Sequence, residues 1–487
     1  MSPRVGLFGL IGSGNSGNDA SMEAVLAYLR TAHPEVVVDA MCGGPEQVRA
    51  RYGIDGVPIS WYQKFEQRKT AVPPVLLKVL GKFADTFRTA RWVRQHDAVI
   101  VPGAGALETT LPQHAWGYPY SLFVVGLSGK IFGTKVALVS VGADRIGKRV
   151  TRWLSNSTAR LACYRSYRDR FSRDTMRQRG IDTSADRVYP DLAFGVPAPP
   201  YSPGDPQVVG VGVMDYHGGN DDREQADQIH SAYTTSLAGF VRWLIDSGHQ
   251  VRLFGGDAKF DGDIAGKIVA GVRRDLPGVH ESWITVAPAS TYAELMRAMA
   301  PCGTVVATRY HNVICALKLC KPTISLGYSR KFVALMESRG LADFTEPAES
   351  PDVDRLVALF KEIENRHAEL RHEMAARNAA SRQSLDEQFT VLSALLLPGS
   401  KPVTARPRDE VPPAPGADDP LGLTAARHRA RAPRARSLTW CTRTPRHSAP
   451  GIPCRAAAPV RGKPRRPTSH GLVATGSTYS AAPPCAA

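Results

Sequence analysis

Short apolar runs alternate with amphipathic stretches over the first 195 residues. Residues 4–10 read as a buried strand, a Gly/Asn-rich loop follows, and residues 20–31 set Met22, Val25, Leu26 and Leu29 on one helical face. Residues 36–41, 98–102 and 135–141 read as further strands, and residues 174–180 as a helix end closed by Gly180. This alternation predicts a parallel, doubly wound sheet. Five prolines then fall within residues 197–206, a stiff extended connector. A second alternation follows, with strands at 208–214, 250–254, 303–307 and 323–326 and helices at 225–247, 292–300 and 313–319. Residues 352–394 are charged and helical, with Leu356, Leu359 and Phe360 as packing positions.

The expectation is an α/β protein of two Rossmann-like doubly wound domains with a ligand cleft between them, the GT-B-like arrangement. Residues 1–196 form the first domain, 197–206 the linker and 207–397 the second. Beyond residue 398, Pro, Ala, Arg, Ser and Thr dominate without periodicity, and a disordered tail is expected over 398–487.

Charge changes this picture little. The net charge is +16, but residues 401–487 hold 15 Lys/Arg against 4 Asp/Glu, which leaves about +5 on the body. Nothing in the body calls for a specific nucleic-acid partner. The eight cysteines show no CxxC pair and no metal-ligand spacing with histidine, so they read as reduced thiols of a cytoplasmic protein. The apolar start passes directly into a polar loop, unlike a signal peptide, and residues 122–141 are broken by Lys130 and Lys135. The expectation is a protein without a transmembrane anchor, at most peripheral at the inner face of the plasma membrane.

Four clusters carry candidate chemistry. Gly12-Ser-Gly-Asn-Ser-Gly-Asn-Asp19 joins a strand to a helix, where glycines admit a ligand and helix N–H groups favour an anion or a sugar hydroxyl. No Walker lysine follows. Asp39 stands about 20 residues on, so a dinucleotide reading stays open beside that of a tight turn. Gly103-Ala-Gly105 follows another strand and reads first as close packing at a strand end. In Tyr164–Ser172, Arg165 and Arg168 could grip a phosphate or carboxylate in two-pronged fashion, oriented by Asp169 or Asp191. Each is equally a surface ion pair. Last, Thr308-Arg-Tyr-His-Asn312 and Tyr328-Ser-Arg-Lys331 occupy successive strand–helix corners, which points His311 and a cation into one cleft.

Taken in order over residues 5 to about 344, these segments resemble the polysaccharide pyruvyl transferase family. The matching pieces are Gly14-Asn-Ser-Gly-Asn-Asp-Ala20, the 103–105 glycines, Arg168-Asp169 with Ser172, Asp191-Leu-Ala-Phe194, Arg309-Tyr-His311 and Tyr328-Ser-Arg-Lys331. The departures are Gly103-Ala-Gly105 for a triple glycine, Thr308 for a serine, and Gly142-Ala-Asp144 for a Gly-Ile-Gly-Pro-like turn. The resemblance implies transfer of the enolpyruvyl group of phosphoenolpyruvate onto a sugar hydroxyl, leaving a pyruvate ketal. It implies donor binding by Arg168, Arg309 and Lys331, proton donation by His311, and a base at Asp19 or Asp191. Asn15, Gly17, Gly103, Gly105, Asp191 and Tyr328 would line the substrate, with no metal and no cofactor besides the donor. The partners would be phosphoenolpyruvate and a sugar acceptor, lipid-linked or free. Two other readings compete: a GT-B-type glycosyltransferase using a nucleotide sugar, and a binding protein acting through its basic tail.

Overall fold

The computed structural model describes residues 2–61, 74–108, 115–219, 222–256 and 261–399; the expected tail lies outside the described residues from residue 400 onward. The first lobe runs β1 (Arg4–Gly9), α1 (Ser16–Ala32), β2 (Val37–Cys42), α2 (Pro45–Tyr52), β3 (Asp55–Pro58), α3 (Pro74–Arg94) and β4 (Ala98–Pro102). It continues through α4 (Tyr118–Phe132), β5 (Lys135–Val141), α5 (Arg149–Leu161), β6 (Tyr164–Tyr167), α6 (Arg170–Gln178) and β7 (Arg187–Val188). The second lobe runs β8 (Asp205–Gly212), α7 (Ala226–Asp246), β9 (Gln250–Phe254), α8 (Asp261–Asp275), β10 (Ile284–Val286) and α9 (Tyr292–Met299). It closes with β11 (Cys302–Ala307), α10 (Tyr310–Lys318), β12 (Thr323–Gly327), α11 (Arg330–Ser338), β13 (Thr345–Pro347) and α12 (Val353–Leu396).

Both sheets are parallel, ordered β3-β2-β1-β4-β5-β6-β7 and β10-β9-β8-β11-β12-β13. The expected α/β class with two Rossmann-like lobes and a GT-B-like fold is therefore what the chain adopts. Inner strands such as β4 and β11 are buried along their whole length, as helices on both faces of a parallel sheet require. Strand order reverses between β1 and β4 and between β8 and β11, so the loops after these strands border the crevices where such sheets take ligands.

Helix α1 begins at Ser16, four residues before its expected start, because the Asn15 side chain caps it by accepting from the Gly17 and Asn18 N–H groups at 3.0 and 3.4 Å. The dinucleotide reading falls with Asp39. Its carboxylate sits within β2 and accepts from Arg4 (3.1 Å), Trp92 (2.7 Å) and His96 (3.0 Å), which leaves it no role at a ribose.

Helix α12 binds the lobes together. Phe360 meets the rings of Phe240 and Trp243 in the second lobe, and Phe389 stacks on Tyr28 of the first at 4.4 Å. Fully buried Gln388 donates to the hydroxyls of Ser140 (3.0 Å) and Ser166 (2.8 Å). Ser140 holds a left-handed backbone at φ 49°, a strained conformation for a side-chain-bearing residue. Among the described residues, no helix is long and apolar enough to cross a membrane. Gln388→Ala should cost about 2 kcal/mol, because it strands the buried Ser140 hydroxyl and leaves Ser166 Oγ only the Ser140 N–H. Urea unfolding checks this, and an unchanged midpoint would show that α12 is not held there.

Candidate functional site

The lobes meet at the start of α1. Ser16 Oγ donates to the Gly256 carbonyl at 3.0 Å, and the His311 ring lies so close over Gly17 that an added Cβ would sit 1.9 Å from Nδ1. Any side chain at 17 would expel the imidazole. His311 is partly buried, and its Nε2 is enclosed without a hydrogen-bond partner. Burial, seconded by the cations Arg168 and Lys331 against the carboxylates Asp191 and Glu108, lowers its pKa to about 4. At neutral pH it is an uncharged imidazole. In this state His311 has a lone pair free to accept a proton and carries no cationic charge.

Asp19, the expected base, is 1% exposed and turned back into its own lobe. It accepts from Gly12 N–H at 2.7 Å and Arg51 at 3.3 Å, and burial outweighs both in raising its pKa. Asn15 is spent on capping α1. The loop 12–19 is thus braced from within, with Asp19 and Asn15 shaping it.

Arg168 leaves the end of β6 and is 7% exposed. It bonds Glu108 and lies 3.6 Å from Asp169 and 3.5 Å from Asp191. Its guanidinium rests 4.8 Å over the Tyr310 ring of the other lobe. These carboxylates, Glu108 foremost, overcome desolvation and push its pKa further up. The glycines around it make room. A Cβ on Gly142 would meet Glu108 and Arg168 at 2.2 and 2.5 Å, and one on Gly105 would meet Glu108 at 2.7 Å. Gly103 adopts φ 53° against Ser21. Gly105 thus makes room for the ion pair, and Gly103 for the close approach of Ser21.

The remaining expected cations are paired as well. Arg309 forms two 2.6 Å bonds to Asp261, and Lys331 lies 3.7 Å from Glu108. The structure thus gathers Arg168, Asp191, His311 and Lys331 with Glu108, but Arg309 turns to Asp261 and Asp19 to Arg51. Two cations face three carboxylates beside a neutral imidazole. A dianion or trianion gains no net positive field there.

Sequence reasoning singled out Tyr328 and the corner after β12 but passed over Tyr216, Ser329 and Glu349 around it. After β12, Tyr328 lies 5.3 Å ring to ring from Tyr216, whose hydroxyl donates to Glu349 at 2.9 Å. Ser329 opens α11 without a side-chain cap bond, its Oγ enclosed and unpartnered. Arg330 beside it is exposed. These groups lie at the carboxyl ends of β8, β12 and β13, and for Tyr216, Ser329 and Glu349 the sequence signal was position after a strand. Asp215, His217 and His230 also converge, their ligand atoms all within 4.8 Å of one another. The two imidazoles stack at 4.3 Å and 6°, and each turns a ring nitrogen toward Asp215 Oδ1, at 3.0 and 3.6 Å.

Solved structures share this architecture. A protein assigned as a UDP-N-acetylglucosamine 2-epimerase from Listeria monocytogenes superposes with a TM-score of 0.51 at 12% identity, covering 82% of this chain and 99% of that one. The Anabaena protein Alr3699/HepE, solved with UDP and glucose, gives 0.50 at 13% identity, covering 80% and 98%. A further UDP-N-acetylglucosamine 2-epimerase gives 0.50 at 13%, covering 81% and 97%. No curated protein sequence matches the chain significantly. The chain thus has the fold of transferases and epimerases that act on sugars.

The expectation of phosphoenolpyruvate as donor and partner, with enolpyruvyl transfer as the reaction, is corrected on two findings. The cations meant to hold its carboxylate and phosphate are already neutralised by Glu108, Asp169, Asp191 and Asp261, and the three structures of like fold just described are two UDP-N-acetylglucosamine 2-epimerases and a protein solved with UDP and glucose. A family is a shared lineage that different donors can exploit. The family model described as polysaccharide pyruvyl transferase matches residues 15–330, well over half the length, and the chain belongs to that family.

Proposed function

We propose that the chain is a GT-B-type glycosyltransferase that takes a nucleotide sugar in the crevice of its second lobe and serves polysaccharide or cell-envelope glycan synthesis. The observation that carries this is the first turn of α11. No side chain caps its N–H groups, Ser329 Oγ is enclosed without a partner, and Arg330 stands exposed beside them. A helix start of this kind suits a diphosphate. Tyr328 and Tyr216 offer ring faces for the base, and Glu349 can accept from ribose hydroxyls. The UDP bound to the Anabaena protein of like fold supports the same donor class.

In this reading the bond from the sugar C1 to the diphosphate oxygen breaks and a bond from C1 to an acceptor oxygen forms. The acceptor proton passes to His311 Nε2, and Asp191 stabilises the resulting imidazolium. The diphosphate leaves with its charge held at the start of α11. Arg168 and Lys331 stay bound to their carboxylates and fix the walls.

Millimolar UDP or UDP-glucose should raise the melting temperature by ligand linkage, about 2.7 kcal/mol at a hundredfold excess over Kd. Phosphoenolpyruvate should not. Tyr328→Ala should weaken UDP binding about tenfold, equivalent to ~1.4 kcal/mol. Stabilisation by phosphoenolpyruvate with none from any nucleotide would overturn the proposal.

His311 gives a pH signature. Its folded pKa, about 4, lies below the ordinary 6.5, so the unfolded chain binds the extra proton in between and stability falls as pH drops from 6.5 to 4. His311→Asn should remove on the order of 2 kcal/mol of that loss and lower turnover by about 10², with UDP binding retained. Urea titrations at pH 7 and 4.5 read the first effect. An identical slope in both proteins, or full turnover in the variant, would contradict the role.

A further inference from the structure

Helices α3, α4 and α5 lie side by side on the first lobe. The Thr86 and Tyr120 hydroxyls join α3 to α4 at 2.9 Å, and Phe123 meets Trp153 of α5 at 5.3 Å. Their outward surface inverts the usual pattern. On α3 the exposed stripe is Leu80, Phe83 and Phe87, the phenylalanines 72% and 73% exposed, and it ends in Arg91 and Arg94. Along α4 and the turn before it, Trp116, Tyr120, Phe123, Leu127 and Ile131 follow one another at helical spacing, with Trp116 61% and Ile131 66% exposed. Trp153 on α5 is 56% exposed. A monomer in water rarely leaves so many large apolar side chains together on its surface.

Charge identifies the occupant. The three helices contain nine Lys/Arg and one acid, Asp85, which is 3% exposed and bonded to Arg88. A second copy would set this cationic face against itself, and the chain's own tail is basic too. Exposed tryptophans, phenylalanines and leucine interspersed with arginines match instead the boundary between headgroups and acyl chains of an anionic bilayer. We infer that the face built from α3, α4 and α5 docks the protein onto an anionic phospholipid surface, with Phe83, Phe87, Trp116 and Ile131 entering the interface and Arg91, Arg94 and Lys130 pairing with headgroups. No part of this rests on the donor assignment.

Flotation of the full chain with vesicles tests it. The protein should float with phosphatidylcholine containing 40% phosphatidylglycerol, release as salt rises, and ignore phosphatidylcholine alone. Phe87→Ser with Ile131→Ser should cut binding at least tenfold without lowering the melting temperature, because both side chains are exposed. Arg91→Glu with Arg94→Glu should abolish it. Wild-type protein that fails to float overturns the inference. So does wild-type affinity in both variants, which would assign vesicle binding to the basic tail. A lower melting temperature in the serine variant with unchanged flotation also overturns it, because the face would then be covered by the protein itself.

Discussion

A guanidinium removed from water has to be neutralised where it lies, and Arg168 is such a group at the junction of the lobes. Glu108 and Asp191 come from the first lobe, the Tyr310 ring from the second, and Lys331 reaches the same Glu108. Removing one partner of a buried pair typically costs about 3–5 kcal/mol, so Glu108 and Arg168 are fixed to each other first. The glycines at 105 and 142 follow from that requirement, since side chains there would occupy the space of the pair. The chemistry follows too. Cations already matched by carboxylates position walls and orient loops, while the proposed anion site lies at the start of α11, where no side chain caps the helix.

This arrangement also explains His311. The imidazole is clamped between the glycine at position 17 and the charged cluster, with burial and two cations keeping it neutral. In the proposed reaction it serves as the proton acceptor. Because α12 spans both lobes through Phe360 at one end and Gln388 and Phe389 at the other, the crevice is held by a single long element.

The inner strands were legible because parallel strands covered on both faces read as unbroken apolar runs. The short strands β3 and β13 were not, for Asp55–Pro58 and Thr345–Pro347 carry little apolar pattern. Helix α4 was hidden for the opposite reason: its outward stripe is as apolar as its buried face, so its periodicity vanished into one long run. In the site, His311, Arg168, Asp191 and Lys331 were found by their corners. Glu108 and Asp261, which decide what the cations can do, lie 60 and 48 residues from their partners, and no local spacing reveals such a pairing. Reading cations without their distant carboxylates is what made a trianionic donor look suitable.

The central claim is that the donor's phosphates lie over the first turn of α11 and not among Arg168, His311 and Lys331. A crystal structure of the full chain soaked with both UDP-glucose and phosphoenolpyruvate tests it most directly. The account predicts a diphosphate against the Ser329–Lys331 backbone, the base beside Tyr328 and Tyr216, and the Arg168–Glu108 pair undisturbed. A single phosphate held by Arg168 and Lys331, with Glu108 displaced and no nucleotide in the crevice, would contradict it.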